Sequence, residues 1–159
     1  MFHFREIVHG DVPAIFKVRV ATRENAYTME ELQGLGITVN SVSAMIDTTH
    51  RGWLCEDDDL VVGFAMGNRK TGEMWVIAVL PEYEGRGIGA KLLAFVETWL
   101  WSEGWCKIWL TTDIDPTLRA YGFYRNQGWL DHEIRNDLRY MRKAVPNNFR
   151  KSGVHNSHR

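Results

Sequence analysis

The sequence predicts a single α/β (α+β) domain in which a mixed, mostly antiparallel sheet of about six to seven strands carries helices on both faces. Three observations lead to this prediction. A chain of 159 residues has the length of one domain, since domains average roughly 100–200 residues. Its 45% hydrophobic and 25% charged residues are typical of a folded protein with its own core. Apolar residues alternate in some segments and recur every three or four positions in others, which indicates both strands and helices.

The N-terminal segment predicts a strand followed by helices. Residues 2–8 alternate in polarity as a strand does. Asp11 as N-cap and Pro13 in the first turn then predict a helix that runs to about Glu24. Further helical segments, interrupted by glycines, continue to Ile46.

The middle of the chain predicts three consecutive strands joined by polar turns. The first turn, residues 56–59, contains three adjacent aspartates. Because no further ligand lies at the spacing of a calcium loop, we interpret it as a solvated hairpin turn and predict no metal site. The three strands fall within residues 53–55, 60–66 and 73–79.

The C-terminal half changes period and then returns to strands. From Ile88 the apolar residues recur every three or four positions, which predicts a helix of about sixteen residues that stops near Gly104. Asp115 and Pro116 predict the start of another helix, which ends at Gly128. Further strands are predicted at residues 105–111, 129–134 and 138–142.

Composition narrows the classes of function and location. Nineteen basic and twenty acidic residues give a net charge of −1, which removes any argument from bulk charge for a nucleic-acid partner. No apolar segment has the length of a signal peptide or a membrane span, so we expect a cytoplasmic protein without a membrane partner. We expect the folded domain to cover residues 1–145 and the polar residues 146–159 to form a disordered tail.

Residues 84–90, with the sequence EGRGIGA, lie between a predicted strand and the start of a predicted helix. Unpaired N–H groups and the positive end of the helix dipole make such a junction an anion site. Glycines let the backbone approach phosphate oxygens closely, and Arg86 and Lys91 would add positive charge. We therefore predict a phosphate-binding loop rather than a simple connecting turn.

The loop alone does not identify the ligand that carries the phosphate. Residues 85–90 also satisfy the dinucleotide fingerprint G-x-G-x-x-A. However, the chain departs from the dinucleotide-binding pattern in three ways. Several residues separate the strand from Gly85, and the next acidic residue at a strand end (Asp113) lies too far along the chain. In addition, four predicted strands precede the loop. A nicotinamide-dependent oxidoreductase is therefore an alternative that NAD(P)H binding would test. A P-loop is excluded, since the chain has no Gly-Lys-Ser/Thr triplet.

Two motifs in order resemble the GNAT N-acetyltransferase superfamily. Residues 79–93, VLPEYEGRGIGAKLL, are similar to its acetyl-CoA signature, Gln/Arg-x-x-Gly-x-Gly/Ala. Residues 120–129, AYGFYRNQGW, are similar to its downstream A-x-x-F-Y-x-x-x-G-F segment. The detailed resemblance covers residues 73–130 and, through the order of strands and helices, nearly the whole chain. It implies a GNAT-like domain that transfers an acetyl group directly from acetyl-CoA to a primary amine in a ternary complex.

The resemblance also implies roles for individual residues. Tyr124 matches the general acid that protonates the departing thiolate, and Glu73 matches the catalytic glutamate of the histone-acetyltransferase members. Asp113, at a strand end beside the expected cofactor cleft, is the alternative base. The backbone N–H of Ile77 is the expected oxyanion donor. The other residues expected to bind the cofactor, the first two by pairing with pantetheine amides, are Val79, Leu80, Arg86, Gly87, Ile88, Gly89, Ala90, Lys91 and Thr117.

Two positions depart from the family pattern. Glu84 stands where the family usually has Gln or Arg and places a carboxylate beside an anion site. Thr117 stands where the family often has Asn, and we expect its hydroxyl to keep the contact in altered form. These departures motivate an alternative function, a catalytically silent acyl-CoA-binding domain that acts as a sensor or a subunit. A homodimer is left open.

The acceptor is expected to meet the N-terminal helices and the loops near Tyr27, Met29, Trp53 and Trp75. Acidic residues in this region would suit a cationic acceptor such as a polyamine, an aminoglycoside or a protein amine: Glu24, Glu30, Glu31, Asp47 and the turn at residues 57–59. Four tryptophans fall within eleven residues, and we expect this cluster to pack the helix after the glycine loop against the sheet: Trp99, Trp101, Trp105 and Trp109.

Overall fold

Seven strands form one sheet in the computed structural model, which describes residues 1–24 and 27–151. The strands are β1 (Phe2–Glu6), β2 (His50–Asp57), β3 (Leu60–Asn68), β4 (Glu73–Val79), β5 (Lys107–Asp113), β6 (Leu130–Arg135) and β7 (Leu138–Ala144). Their order across the sheet is β1-β2-β3-β4-β5-β7-β6. Neighbouring strands are antiparallel except β4 and β5, which are parallel.

Helices cover both faces of this sheet. They are α1 (Val12–Val20), α2 (Met29–Gly34), α3 (Val39–Thr48), α4 (Ile88–Ser102), α5 (Arg119–Asn126) and α6 (Asn147–Lys151). The residues of α1 to α3 pack in one hydrophobic cluster, and those of α4 and α5 in another. The predicted mixed, mostly antiparallel sheet with helices on both faces is confirmed. No helix in the described part of the chain is long and apolar enough to cross a membrane.

The central strands separate the two clusters by ordinary strand alternation. Leu54 and Phe64 belong to the cluster on the α1 side, whereas the next residues along, Cys55 and Ala65, belong to the cluster on the α4 side. Successive side chains of a strand point to opposite faces. The nearly continuous apolar sequence of β2 and β3 is therefore explained by burial on both sides.

A β-bulge in β4 opens the sheet at its centre. Met66 pairs with Val76 and Gly67 pairs with Met74, so Trp75 is an extra residue without a partner in β3. A bulge bends its strand and increases the local twist. Within the described residues, β4 and β5 share a single ladder pair at the start of β4. The two strands then diverge toward their C-terminal ends, and a cleft opens between them.

The start of α5 differs from its prediction. Asp115 was expected to cap a helix beginning at Pro116, but α5 begins at Arg119. The Asp115 carboxylate instead accepts the backbone N–H of Thr117 at 2.9 Å and its hydroxyl at 2.7 Å. The short polar side chain therefore forms a local turn that competes with helix capping.

The C-terminal segment also differs from its prediction. Residues 146–159 were expected to be disordered, but Asn147–Lys151 forms the short helix α6. The Phe149 ring packs against Trp101 with a centroid distance of 5.8 Å. The prediction is wrong for this helix because one apolar side chain fixes it to the core, and residues 152–159 lie outside the described residues.

The clustered tryptophans hold α4 and β5 against the sheet. Trp99 and Trp101 are buried. Trp105 donates its ring N–H to the carbonyl of Arg69 at 2.7 Å, and Trp109 donates to the carbonyl of Thr71 at 2.9 Å. These two bonds fix the turn between β3 and β4, in agreement with the structural role expected for the cluster.

Trp53 also packs within the hydrophobic core. Its ring stacks on Phe95 of α4 at 5.8 Å with an interplanar angle of 12°, and it makes an edge contact with Trp99. It belongs to the cluster on the α4 side of the sheet. The expectation that Trp53 meets the acceptor is therefore wrong, since its ring is committed to packing β2 on α4.

Candidate active site

The divergence of β4 and β5 forms a cleft of about 900 Å³. Its walls are β4, the C-terminal end of β5, the glycine loop, α1 and α5. The cleft brings together eight of the predicted site residues: Glu73, Ile77, Val79, Gly87, Ile88, Gly89, Ala90 and Tyr124. It also contains the alternative base, Asp113.

The backbone of β4 presents hydrogen-bonding groups to this cleft. The Leu80 N–H donates to the carbonyl of Val62 in β3 at 2.8 Å. Because antiparallel residue pairs alternate between bonded and non-bonded, the N–H and C=O groups of Ile77 and Val79 point away from β3, toward the gap. This geometry fits an oxyanion donor at Ile77 and pairing at Val79. The Leu80 N–H is already used by β3, so this donor is not available to a pantetheine amide.

The glycine loop has the backbone geometry of an anion site. Gly85 and Gly87 have φ values of 77° and 81°, in the left-handed region, and Gly87 is the N-cap of α4. The backbone N–H groups of residues 85–90 have no acceptor among the described residues. A Cβ atom at Gly89 would lie 3.4 Å from the Phe123 ring, so this glycine lets α4 approach α5 closely. The loop therefore provides unpaired donors at the start of a long helix.

We expect Gly87→Ala to lower the free energy of unfolding by about 1 kcal/mol, because a left-handed φ strains any residue with a Cβ atom. Gly10→Ala is the matched control, since its φ is not left-handed and no heavy atom lies within 4 Å of an added Cβ. Urea denaturation of both variants measures the difference. Equal stability of the two variants would contradict the assigned backbone strain.

Three predicted cofactor residues lie elsewhere. The Arg86 guanidinium lies 5.1 Å from the centroid of the Tyr83 ring, and the Lys91 ammonium lies 4.5 Å from the Phe4 ring. The Thr117 hydroxyl donates to Asp115 in the turn before α5. None of these three side chains lines the cleft.

Glu73 begins β4 where that strand still pairs with β5. Its neighbour Met74 packs on the α4 side, so the Glu73 side chain points toward the opposite face. Burial raises the pKa of Glu73 to about 7. A carboxyl group with a pKa near 7 is suited to accept a proton at neutral pH.

Asp113 lies on the other wall of the cleft. Trp109 pairs with Glu73, and Asp113 is four residues further along, at the C-terminal end of β5 where the two strands have diverged. Its carboxylate accepts the backbone N–H of Asp115 at 2.8 Å. Asp113 thus lies further into the gap than Glu73, whereas the raised pKa favours Glu73 as a base.

Tyr124 enters the cleft from α5, on the α4 side of the sheet. Burial raises the pKa of the Tyr124 phenol, and the nearby Arg19 guanidinium partly opposes this shift. Its ring packs against Phe123 and Trp129, at centroid distances of 5.4 and 6.3 Å. The phenol therefore stays protonated at neutral pH, on the opposite face from Glu73.

A buried polar network fixes the end of α5 that carries Tyr124. The Glu97 carboxylate of α4 accepts the Trp129 ring N–H at 2.8 Å and the Lys143 ammonium at 3.0 Å. Lys143 also donates to the carbonyl of Gln127 at 2.7 Å. The Trp129 backbone N–H in turn donates to the Tyr124 carbonyl at 3.0 Å. Such satisfied networks hold the surrounding elements in one arrangement.

The acceptor side of the cleft differs in part from its prediction. Tyr27 and Trp75 line the cleft, whereas Met29 does not. The edge of the buried His50 ring contacts Trp75 at 4.9 Å between centroids. Of the acidic residues expected there, Glu24 lines the cleft, and its carboxylate accepts the Arg119 backbone N–H. The other acidic residues expected there do not line the cleft.

Three arginines that no motif in the sequence indicated line the cleft. They are Arg19, Arg23 and Arg119. Arg19 lies four residues after the buried Ile15, so a charged residue on the apolar stripe of α1 was the available signal. Burial lowers the pKa of Arg19, whose guanidinium lies 4.8 Å from the Tyr27 ring.

The site combines a sheet that divides between β4 and β5, a glycine loop at a helix N-terminus and a buried tyrosine. These features are typical of a class of proteins that bind an extended, phosphate-bearing cofactor between two strands. The family model for the GNAT acetyltransferases matches residues 23–129, more than half of the chain. The chain belongs to this family.

Individual relatives agree with this assignment. The chain is 34% identical over 96 residues to a mycothiol acetyltransferase of Streptomyces griseus subsp. griseus. That match covers 58% of this chain but only 30% of the relative, so the chain spans about a third of the relative's length.

Two solved structures share the fold. PaiA N-acetyltransferase from Thermoplasma acidophilum, in complex with coenzyme A, has a TM-score of 0.78 at 16% identity, covering 91% of this chain and 99% of that one. The ribosomal-protein-S18-alanine N-acetyltransferase of Escherichia coli has a TM-score of 0.72 at 17% identity, covering 93% and 98%. At these identities the likeness concerns the fold.

Proposed function

We propose that the chain is an acetyl-CoA-dependent N-acetyltransferase that transfers the acetyl group to a primary amine by direct attack. The observation that carries this proposal is the divergence of β4 from β5 beside unpaired N–H groups at residues 85–90. The phosphates of CoA would bind these N–H groups, and pantetheine would pair with the exposed backbone of Val79. The thioester would then lie near Ile77.

The chemistry requires three groups around the thioester. The Ile77 N–H would stabilise the oxyanion that forms when the amine attacks the carbonyl carbon. The C–S bond then breaks, and Tyr124 would donate its proton to the departing thiolate sulfur. Arg19, which opposes the rise in the Tyr124 pKa, would stabilise the phenolate left behind. Donor and acceptor would approach from opposite faces of the sheet.

The base would act through water. Strands rise about 3.3 Å per residue, so the backbones of Glu73 and Ile77 are roughly 10–13 Å apart along β4. A carboxylate side chain cannot span that distance, and a bridging water is an ordinary route for proton transfer. We propose Glu73 as the base because its pKa of about 7 matches the task. Asp113, at the C-terminal end of β5, is the alternative.

The cofactor and the turnover are tested separately. We expect calorimetry to detect acetyl-CoA binding, and an amine panel read by release of free CoA to detect turnover. The panel should contain amino sugars, polyamines and peptide N-termini, since a likeness to a mycothiol acetyltransferase does not select among them. Absence of acetyl-CoA binding at millimolar concentration would overturn the proposal. Binding without turnover across the panel would favour the catalytically silent alternative.

A further inference from the structure

Four charged side chains meet at one end of the cleft. Glu84 accepts a hydrogen bond through Oε1 from Arg23 Nη2 at 2.6 Å, and its Oε2 lies 3.7 Å from Arg119 Nε. Glu24 Oε1 accepts the backbone N–H of Arg119 at 2.8 Å. All four residues line the cleft. We call this set the charged clamp: Arg23, Glu24, Glu84 and Arg119.

The charged clamp joins three elements on the two sides of the gap. Arg23 follows α1, Glu84 begins the glycine loop that leads into α4, and Arg119 is the first residue of α5. The Glu84 side chain is 19% exposed, whereas those of Arg23 and Arg119 are 60% and 50% exposed. The carboxylate is therefore enclosed, and the two guanidinium groups lie at the solvent-facing rim.

Stability alone gives little reason for this arrangement. Ion pairs with exposed arginines contribute little to folding. A guanidinium group carries five N–H donors, and the hydrogen bond from Arg23 to Glu84 uses one of its terminal nitrogens. The two arginines balance the carboxylates of Glu24 and Glu84, so the four side chains of the clamp carry no net charge. What the exposed guanidinium groups offer an anion is their remaining N–H donors.

We propose that Arg23 and Arg119 bind the phosphate groups of CoA and that Glu84 is the positioning residue that holds both guanidinium groups at the rim. This inference rests on the proposed function, since it names further residues of the same cofactor site. The unpaired N–H groups of residues 85–90 lie directly after Glu84 in the chain, so a phosphate bound by them lies beside the clamp. Arginine is well suited to phosphate because its planar fork donates two parallel hydrogen bonds.

Two explanations of Glu84, anchoring of the arginines and repulsion of phosphate, can be distinguished by experiment. An isolated carboxylate at this position would repel phosphate, so its removal would tighten CoA binding. An anchoring carboxylate has the opposite effect, because its removal leaves two flexible arginine side chains that must be ordered when CoA binds. Removal of Glu84 therefore changes CoA affinity in opposite directions under the two explanations.

The experiment measures binding of CoA and of pantetheine, which lacks the phosphates, by calorimetry. We expect Arg23→Gln and Arg119→Gln each to raise the Kd for CoA about tenfold, through loss of a charge-assisted contact. We expect Glu84→Ala to raise it severalfold. Lys17→Gln is the matched control, because it removes one positive charge from the exposed face of α1 and should leave the Kd within about twofold. Pantetheine should bind all variants equally.

Several outcomes would overturn the inference. One is a CoA affinity of Arg23→Gln equal to that of Lys17→Gln, and another is tighter binding by Glu84→Ala. If the variants bind pantetheine as weakly as they bind CoA, the lost contacts are not contacts to the phosphates. If only the KM of the amine rises, the arginines bind the acceptor. If the wild-type chain binds no CoA, the proposed function itself is overturned. If the wild type binds CoA and the variants bind it equally well, only the inference about the charged clamp is overturned.

Discussion

Tyr124→Phe is expected to lower kcat about 100-fold while leaving the Kd for CoA unchanged. The substitution removes one oxygen and keeps the ring that packs against Phe123 and Trp129. General acids typically contribute 10²- to 10⁴-fold. We expect the lower end of that range because a thiol, with a pKa near 8.5, is already a good leaving group. Pre-steady-state and steady-state release of free CoA provide the measurement.

Tyr121→Phe is the control for this prediction. Tyr121 is also in α5, but its hydroxyl donates to Asp131 at 3.0 Å on the exposed side of the helix. It should therefore retain wild-type kcat. The burial that raises the pKa of Tyr124 also predicts no decline of the wild-type rate through Tyr124 ionisation below pH 10. If Tyr124→Phe and Tyr121→Phe turn over equally at every pH, Tyr124 is not the acid.

The order of elements and the position of the glycine loop follow from local patterns in the sequence. Alternation and helical periodicity depend on neighbours a few residues apart, and the left-handed conformations of Gly85 and Gly87 require a residue without a Cβ atom. The family motifs then place Tyr124 and the start of α4. These features were predictable because each depends on a short, continuous stretch of chain.

The long-range features of the site were not predictable in the same way. The bulge at Trp75 depends on the register between β3 and β4, and the hydrogen bond that uses the Leu80 N–H depends on the same register. The partner of Glu84 is Arg23, sixty-one residues earlier in the chain. For Lys91, its position in the first turn of α4 suggested a phosphate contact, but its side chain lies on the Phe4 ring of β1. Motif spacing carries no information about such contacts.

Glu73→Gln is expected to lower kcat/KM at pH 7 by 100- to 1000-fold and to move the acidic limb of the pH profile from about pH 7 up to the pKa of the amine. The base must be ionised to accept a proton, and kcat/KM reports the free enzyme. With a Glu73 pKa of about 7, the wild-type value should rise with pH through 7 and fall tenfold per unit below it. Glutamine keeps the size of the side chain but accepts no proton.

The kcat/KM of Glu73→Gln should also recover partly at high pH. A primary amine with a pKa near 10.4 is about one part in 2500 neutral at pH 7, and this fraction grows tenfold for each unit of pH. A chain without its base depends on that neutral fraction, so the ratio of wild-type to variant rates should shrink between pH 7 and pH 10. Asp113→Asn discriminates the two carboxylates, since it should keep the limb near pH 7. If Asp113→Asn loses that limb and Glu73→Gln retains it, the base is Asp113, and its position at the end of β5 outweighs the raised pKa of Glu73.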